Sequence, residues 1–327
     1  MSLVGIIANP ASGKDIRRLV AQGRFVPNQE KINTLRRILA GLAATGIQRV
    51  VMMPDSAGLG YGAMEGAPAT ISLEFLEMEV MGNESDTTHA ARMMADMDVR
   101  CLITLGGDGT NRAAVKGAAT IPMVPISTGT NNVFPSTIEG TVAGMAAGVV
   151  AKGLVDLAGV ARSAPFLEVS VAGKPRDIAL VDIAVSHERF VGARAIWDIE
   201  TVHEIFLSRA EPGSIGLSAI GAAVHPSPAD EPSGLRVRFG QGGGTVLAPL
   251  APGAVSPIPI RDYRPLTLGQ GVPIDLVPCT IALDGERSVT LRHGDEASVT
   301  LTANGPLVVD VPEALRRAAA AGVWRRS

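Results

Sequence analysis

Cysteine is scarce in this 327-residue sequence, which contains only Cys101 and Cys279. The two lie far apart and have no cysteine neighbours, so the sequence encodes neither a disulfide framework nor a thiolate zinc site. The five histidines are scattered without the spacing of metal ligands. This usage is typical of a cytoplasmic protein, and we expect that location.

A strong excess of charge of one sign is also absent, and so is any long apolar run. The 29 Lys and Arg residues against 32 Asp and Glu residues give a formal net charge of -3. Without a global basic field, nucleic acid is not expected as a partner. No apolar run reaches the length of a membrane span, and the apolar N-terminus lacks the basic region of a signal peptide. We therefore expect neither a membrane span nor a signal peptide.

The pattern of apolar residues changes near Gly153. Before it, short apolar runs alternate with helical patterns, which indicates an open parallel α/β sheet with helices on both faces, in a domain of residues 1–153. After it, prolines, glycines and short alternating runs predict a β-rich domain of residues 154–311, interrupted by one helix near residues 195–208. A last helix, residues 312–322, can return to pack on the first domain.

One apolar strand, residues 102–105, runs into a glycine-rich loop that carries a single carboxylate, Asp108. Its glycines are Gly106, Gly107 and Gly109. Glycines permit positive φ and leave room for backbone N–H groups to converge on an anion such as phosphate. Asp108 would repel bare phosphate, so it indicates a bridging divalent cation or a hydroxyl that must lose a proton. Both point to phosphoryl transfer; the alternative is a tight turn in which Thr110 caps the next helix.

Two better-known nucleotide signatures do not match. A dinucleotide fingerprint would need a glycine where Arg112 stands. A Walker-type loop ending at Gly13-Lys14 would need a glycine at Ala8 and a hydroxyl residue at Asp15. The phosphate ligand must therefore be held by a different arrangement.

Polar loops also follow two other predicted strands, at residues 9–14 and 127–132. The carboxyl ends of parallel strands share one edge of the sheet, where open α/β sheets bind ligands. The predicted nucleotide-binding residues are Asn9, Ser12, Gly13, Lys14, Gly106, Gly107, Gly109, Thr110, Thr128, Gly129, Thr130, Asn131 and Asn132. Taken singly, the two asparagines also suit capping or turns, and Lys14 also suits a solvated surface.

Three motifs carry a resemblance to a known superfamily. They are Asn9-Pro10 with Ser12-Gly13-Lys14, then Gly106-Gly107-Asp108-Gly109-Thr110, then Gly129-Thr130-Asn131-Asn132-Val133-Phe134. In this order the chain resembles the superfamily that joins NAD kinases with diacylglycerol and sphingosine kinases, and within it the acetoin-catabolism protein X branch of ATP-NAD kinase-like proteins. The resemblance implies a C-terminal β-sandwich and ATP in the cleft between the domains. We expect Mg²⁺ with the ATP, a small-molecule or nucleotide acceptor such as NAD, and a homo-oligomer.

The run Asp284-Gly285-Glu286 looks like the acidic motif that lipid kinases of this superfamily carry late in the chain. That resemblance implies Glu286 as a catalytic residue beside Asp108, and Asp284 as a metal ligand beside Asp108. Asp-Gly between alternating strands is also a leading two-residue hairpin turn, and the two interpretations are compatible.

The acceptor stays open because the chain departs from both patterns at Val133. NAD kinases have a glutamate after the asparagine, and the lipid kinases have an aspartate at that place. Three hypotheses follow: a kinase of NAD or another soluble alcohol, a lipid kinase, and an accessory protein that binds ATP or NAD without turnover.

Overall fold

The computed structural model describes residues 2–13, 25–129, 132–187, 199–226 and 233–325, with all of their side chains except those of residues 286–288. The helices are α1 (Asn28–Ala44), α2 (Leu59–Met64), α3 (Glu84–Asp96), α4 (Asp108–Ala118), α5 (Gly140–Ala151), α6 (Leu157–Val160), α7 (Leu217–Val224) and α8 (Val311–Ala320). None of the helices in these ranges is long and apolar enough to cross a membrane.

The strands are β1 (Leu3–Ala8), β2 (Arg49–Met52), β3 (Ser72–Phe75), β4 (Cys101–Gly106), β5 (Met123–Ser127), β6 (Ala161–Ser163), β7 (Phe166–Val171), β8 (Lys174–Ala179), β9 (Asp182–Ser186), β10 (Val202–Leu207), β11 (Gly234–Phe239), β12 (Thr245–Ala251), β13 (Ala254–Leu266), β14 (Gly271–Pro273), β15 (Cys279–Leu283), β16 (Glu286–Leu291), β17 (Ala297–Thr302) and β18 (Leu307–Val309).

A seven-stranded sheet in the order β3-β2-β1-β4-β5-β18-β6 carries the N-terminal half. The neighbouring strands from β3 to β18 run parallel, and the edge strand β6 is antiparallel to β18. The inner strand β1 is buried on both faces. Val4 and Ile6 pack with residues of α1 and α5, whereas Leu3 and Ile7 pack with residues of α3 and α4. Helices therefore cover both faces, which confirms the predicted α/β architecture.

The C-terminal half is a sandwich of two antiparallel sheets, which confirms the β-sandwich that the resemblance implied. The sheets have the orders β12-β13-β11-β10-β9-β15-β16 and β14-β17-β7-β8. Val169 of the smaller sheet and Ile281 of the larger one belong to the same buried cluster between them. β6, β18 and helix α8 return to the first half, where Ala314 of α8 joins the core under α1 and α5. The domain boundary at residue 153 stays a prediction.

The helix expected near residues 195–208 is wrong over residues 202–207, which form strand β10, whereas residues 199–201 form a single turn of 3-10 helix. Phe206 faces the sandwich core, while Ile205 and Leu207 pack on the opposite face with Ile220 of α7. A strand buried on both faces lacks the apolar and polar alternation that identifies a half-buried strand. Residues 195–198, where the predicted helix begins, lie outside the described residues.

Cys101 and Cys279 are both buried and form no disulfide. Burial raises the pKa of each thiol to about 12. Both thiols are therefore protonated at neutral pH, and they serve as small apolar side chains of β4 and β15.

Arg112 on α4 is fully buried where the two halves of the molecule meet. Its Nη2 lies 2.9 Å from Glu84 Oε2 on α3, and its Nη1 lies 3.6 Å from Asp177 Oδ2 on β8. Lys116, one turn later, contacts the same two carboxylates at 3.3 and 3.0 Å. The position that a dinucleotide fingerprint would fill with glycine thus holds an arginine that joins the sandwich to the first domain.

We expect Arg112→Met to lower the free energy of unfolding by about 3 kcal/mol, because it leaves two carboxylates at this interface short of a cation. Urea unfolding measures the change. Arg100→Met is the matched control: Arg100 pairs with Asp98 at 3.2 Å, but these side chains are 58% and 83% exposed. That variant should change the free energy by less than about 1 kcal/mol. Equal small losses in both variants would contradict a stabilising role for the buried network.

Candidate nucleotide site

Three loops meet at the carboxyl ends of β1, β4 and β5, which are neighbours in the sheet. Asn9 Nδ2 after β1 donates to Thr110 Oγ1 at the start of α4, over 2.9 Å. Ser12 Oγ lies 2.7 Å from Thr128 Oγ1, which follows β5. The N–H of Thr128 donates to the carbonyl of Gly106 over 3.0 Å. The structure therefore brings the three predicted loops into direct contact through two side-chain hydrogen bonds and one backbone hydrogen bond.

Gly106 and Gly107, at the end of β4, leave little room for a side chain. Gly107, the N-cap residue of α4, has an ordinary φ of -104°. A Cβ built on it would lie 2.9 Å from Asn132 Oδ1, and one on Gly106 would lie 2.4 Å from Thr110 Cβ. Thr110 is thus packed against Gly106 inside the helix, and the alternative in which it caps α4 is excluded.

Asp108 is the first residue of α4, and only 9% of it is exposed. Its Oδ1 accepts the N–H of Phe134 over 2.9 Å, and both of its oxygens accept the N–H of Val133 over 3.2 Å. Backbone N–H groups and the N-terminus of a helix interact favourably with the negative charge of a carboxylate. The charged form is the one that a metal ligand or a general base requires. Both of those roles of Asp108 stay predictions.

A buried asparagine supports the turn between β4 and α4. Asn111 is fully buried; its Oδ1 accepts from Thr104 Oγ1 over 2.6 Å, and its Nδ2 donates to the Gly107 carbonyl over 2.8 Å. The sequence prediction did not include Asn111. Its place on the first turn of α4, after the glycine loop, was the available signal.

The sequence prediction also missed Lys31. Its side chain is fully buried, and its ammonium donates to the carbonyls of Asn9, Pro10 and Ser12 over 3.0, 3.0 and 2.8 Å. Lys31 lies on the buried face of α1 with Leu35. A lysine at helical spacing from the apolar residues of a helix was the signal for its burial.

Asn132 lies between the last two loops. Its Nδ2 donates to Ser127 Oγ over 2.8 Å, and a Cβ on Gly129 would lie 2.6 Å from that nitrogen. Asn132 therefore supports its own loop and does not cap a helix, since the N-cap residue of the next helix is Glu139. Lys14, Thr130 and Asn131 lie outside the described residues.

Asp284 forms the hairpin turn that was one of its two interpretations. With Gly285 it joins β15 to β16, and both residues have positive φ, 50° and 80°. Its carboxylate turns back to accept the N–H groups of Leu180, Val181 and Asp182 over 2.9, 2.8 and 3.2 Å. Burial raises the pKa of Asp284, and the nearby charge of Arg112 opposes that rise.

The catalytic role predicted for Glu286 and the metal-binding role predicted for Asp284 both stay predictions. Glu286 begins β16, and its side chain lies outside the described residues. Among the described residues, no group of three or more His, Cys, Asp or Glu side chains is arranged to hold a metal ion. Mg²⁺ usually takes only one or two carboxylates and completes its shell with phosphate oxygens and water, so Asp108 alone fits such an ion.

Comparison with known proteins identifies the family. Residues 4–153 match the family described as ATP-NAD kinase N-terminal domain, and residues 165–304 match the acetoin catabolism protein X C-terminal domain. Acetoin catabolism protein X of Cupriavidus necator is 38% identical over 333 residues, covering 97% of this chain and 92% of that protein. The chain belongs to the acetoin catabolism protein X family. The resemblance drawn from the three loop motifs is thereby confirmed.

Two solved structures of kinases are weakly similar to this chain, at low sequence identity. Yeast NADH kinase complexed with NADH is 16% identical, covers 98% of this chain and 88% of its own, and has a TM-score of 0.48. A putative diacylglycerol kinase from Bacillus anthracis is 13% identical, covers 94% of this chain and 97% of its own, and has a TM-score of 0.45.

Gly13 offers a test of the contact between the first and third loops. Its φ is +71°, and a Cβ would lie 2.6 Å from the Thr128 carbonyl oxygen. Gly58 is the matched control, since it has a φ of +68° and nothing within 4 Å of a Cβ. Gly58→Ala should cost about 1 kcal/mol for its left-handed backbone. We expect Gly13→Ala to cost about 1–3 kcal/mol more, because it also collides with backbone.

Chemical denaturation of the two glycine variants gives the comparison. Equal losses of stability would mean that the first loop can move away from Thr128 without cost.

Proposed function

We propose that this member of the acetoin catabolism protein X family is an ATP-dependent kinase that transfers a phosphoryl group to a hydroxyl of a small molecule, in the manner of an NAD kinase. The observation that carries the proposal is the joining of three strand-end loops around the N-terminus of α4, with Asp108 as its first residue. Helix N-termini and hydroxyl-rich loops at this edge of a parallel sheet are suited to phosphate groups.

Each group has a part in the proposed reaction. The hydroxyls of Ser12 and Thr128 and the N–H groups at the start of α4 would hold phosphate oxygens. Mg²⁺, when bound beside Asp108, would neutralise phosphate charge. Asp108 would hold that ion or take the proton from the acceptor hydroxyl, so that most of the rate would come from positioning and charge neutralisation.

A soluble acceptor is favoured over a lipid. The lipid kinase hypothesis depended on the acidic motif Asp284-Gly285-Glu286, and the position of Asp284 in the structure weakens that support. The three backbone N–H groups on Asp284 give that residue a structural role. The name of the Cupriavidus necator relative supports a place for the reaction in acetoin catabolism. The proposal includes a cytoplasmic location and a homo-oligomer.

Transfer of labelled phosphate from ATP and Mg²⁺ into a metabolite extract, with NAD as a defined acceptor, tests the proposal. Label in a water-soluble product supports it. Label that enters a chloroform phase would identify a lipid kinase instead. Binding of ATP or NAD without any transfer would identify an accessory protein.

Asp108→Asn should lower turnover by at least about a hundredfold, because it removes the proposed base or metal anchor. Asp86→Asn is the matched control: Asp86 is also buried in the first turn of a helix, α3, and its carboxylate also accepts backbone N–H groups, those of Met81, Gly82 and Asn83. Turnover per folded molecule should be unchanged in that variant. Wild-type turnover in folded Asp108→Asn would contradict the assignment.

A further inference from the structure

Lys31 is a charged side chain in a place that opposes its charge. It is fully buried, and burial of an ammonium is costly unless it is hydrogen-bonded. It also lies in the first turns of α1, where the helix dipole disfavours a cation. Because burial and the helix dipole both disfavour the ammonium of Lys31, its hydrogen-bond partners must stabilise it.

Among its contacts is the first loop of the candidate site. An ammonium has three donors, and three backbone carbonyls of the segment 9–12 lie within 3.0 Å of it. The carbonyls belong to Asn9, Pro10 and Ser12. Lys31 is therefore hydrogen-bonded to three peptide groups of one short loop, in the way that a bound cation is coordinated by carbonyl oxygens.

Two of these residues also make the contacts that join the loops. Asn9 reaches Thr110 with its side chain, and Ser12 reaches Thr128. The C=O and N–H of a trans peptide point in opposite directions, so the Ser12 carbonyl on Lys31 turns the N–H of Gly13 away from α1. The ammonium thus sets both where the loop lies and which way its peptide groups face.

We propose that Lys31 is a positioning residue for the nucleotide phosphates: a tethered cation that holds the loop of residues 9–13 in its phosphate-binding form before nucleotide arrives. This inference rests on the proposed function for its consequence in catalysis. Its structural part, the orientation of the loop by Lys31, can be measured without nucleotide.

The first experiment compares Lys31→Met with Lys152→Met by amide hydrogen exchange in the absence of nucleotide. Lys152 also donates to a carbonyl beside α1, that of Thr45, over 3.0 Å, but at the opposite end of the helix. The amides of Ala11 and Ser12 are hydrogen-bonded within the loop, to the Asn9 side chain and carbonyl. Their exchange should quicken at least about tenfold in Lys31→Met and stay unchanged in Lys152→Met. Unchanged exchange in Lys31→Met would overturn the inference.

The second experiment measures kinetics with ATP. Loss of positioning should raise KM and lower kcat together, with kcat/KM falling about a hundredfold, whereas partial unfolding alone would lower kcat and leave KM unchanged. In Lys31→Ala, n-propylammonium restores the missing atoms and should recover activity; tetramethylammonium, which has no N–H donor, should not. A normal KM, or equal recovery with both ions, would overturn the inference.

If Lys31→Met does not fold, Lys31→Arg takes its place. Its planar fork keeps the charge but cannot match three converging carbonyls, so both the faster exchange and the higher KM should persist. Wild-type values in this variant would overturn the inference. A wild-type protein that transfers no phosphate would defeat the proposed function instead, and the exchange result would still decide the role of Lys31 in the loop.

Discussion

The hydrogen bonds between the Asp108 carboxylate and the backbone N–H groups of Val133 and Phe134 hold the centre of this molecule together. They join the start of α4 to the loop after β5, and that loop also meets the second domain. Phe134 belongs to the same buried cluster as Leu180 and Val181, which precede β9. The guanidinium of Arg209, two residues after β10, lies 5.7 Å from the centre of the Phe134 ring. One carboxylate thereby connects the candidate site to the sandwich.

A second buried aspartate, Asp284, connects the two parts of the molecule from the side of the sandwich. Its carboxylate holds the N–H groups of Leu180 and Val181, the residues that pack near Phe134. Asp108 and Asp284, which are far apart in the chain, therefore each accept hydrogen bonds from backbone N–H groups, on the two sides of one interface. An aspartate in a short motif can hold backbone N–H groups whether or not it also takes part in catalysis. The effect of substituting it must therefore be compared with that of substituting a similarly buried aspartate elsewhere.

The predictable parts of the fold are those that a pattern in neighbouring residues of the sequence determines. β1 and β4 are continuous apolar runs followed by glycine-containing loops, and their parallel pairing places those loops at one edge. β10 was mistaken for a helix because burial on both faces removed its alternation. The return of β18 beside β5 could not be predicted either, because that pairing joins residues about 180 positions apart with no local signal.

The candidate site shows the same division. Asn9, Ser12 and Thr128 were predictable because polar residues directly follow buried strands. Lys31 was not predicted, because lysine on a helix is normally read as a solvated residue. Its spacing from Leu35 places it on the apolar face, where an unpaired ammonium would be too costly to bury. A lysine at such a position must therefore have acceptors supplied by another segment, and in this fold the segment that faces the start of α1 is the first loop of the site. A charge on the apolar face of a helix is thus more informative about a site than a charge on its polar face.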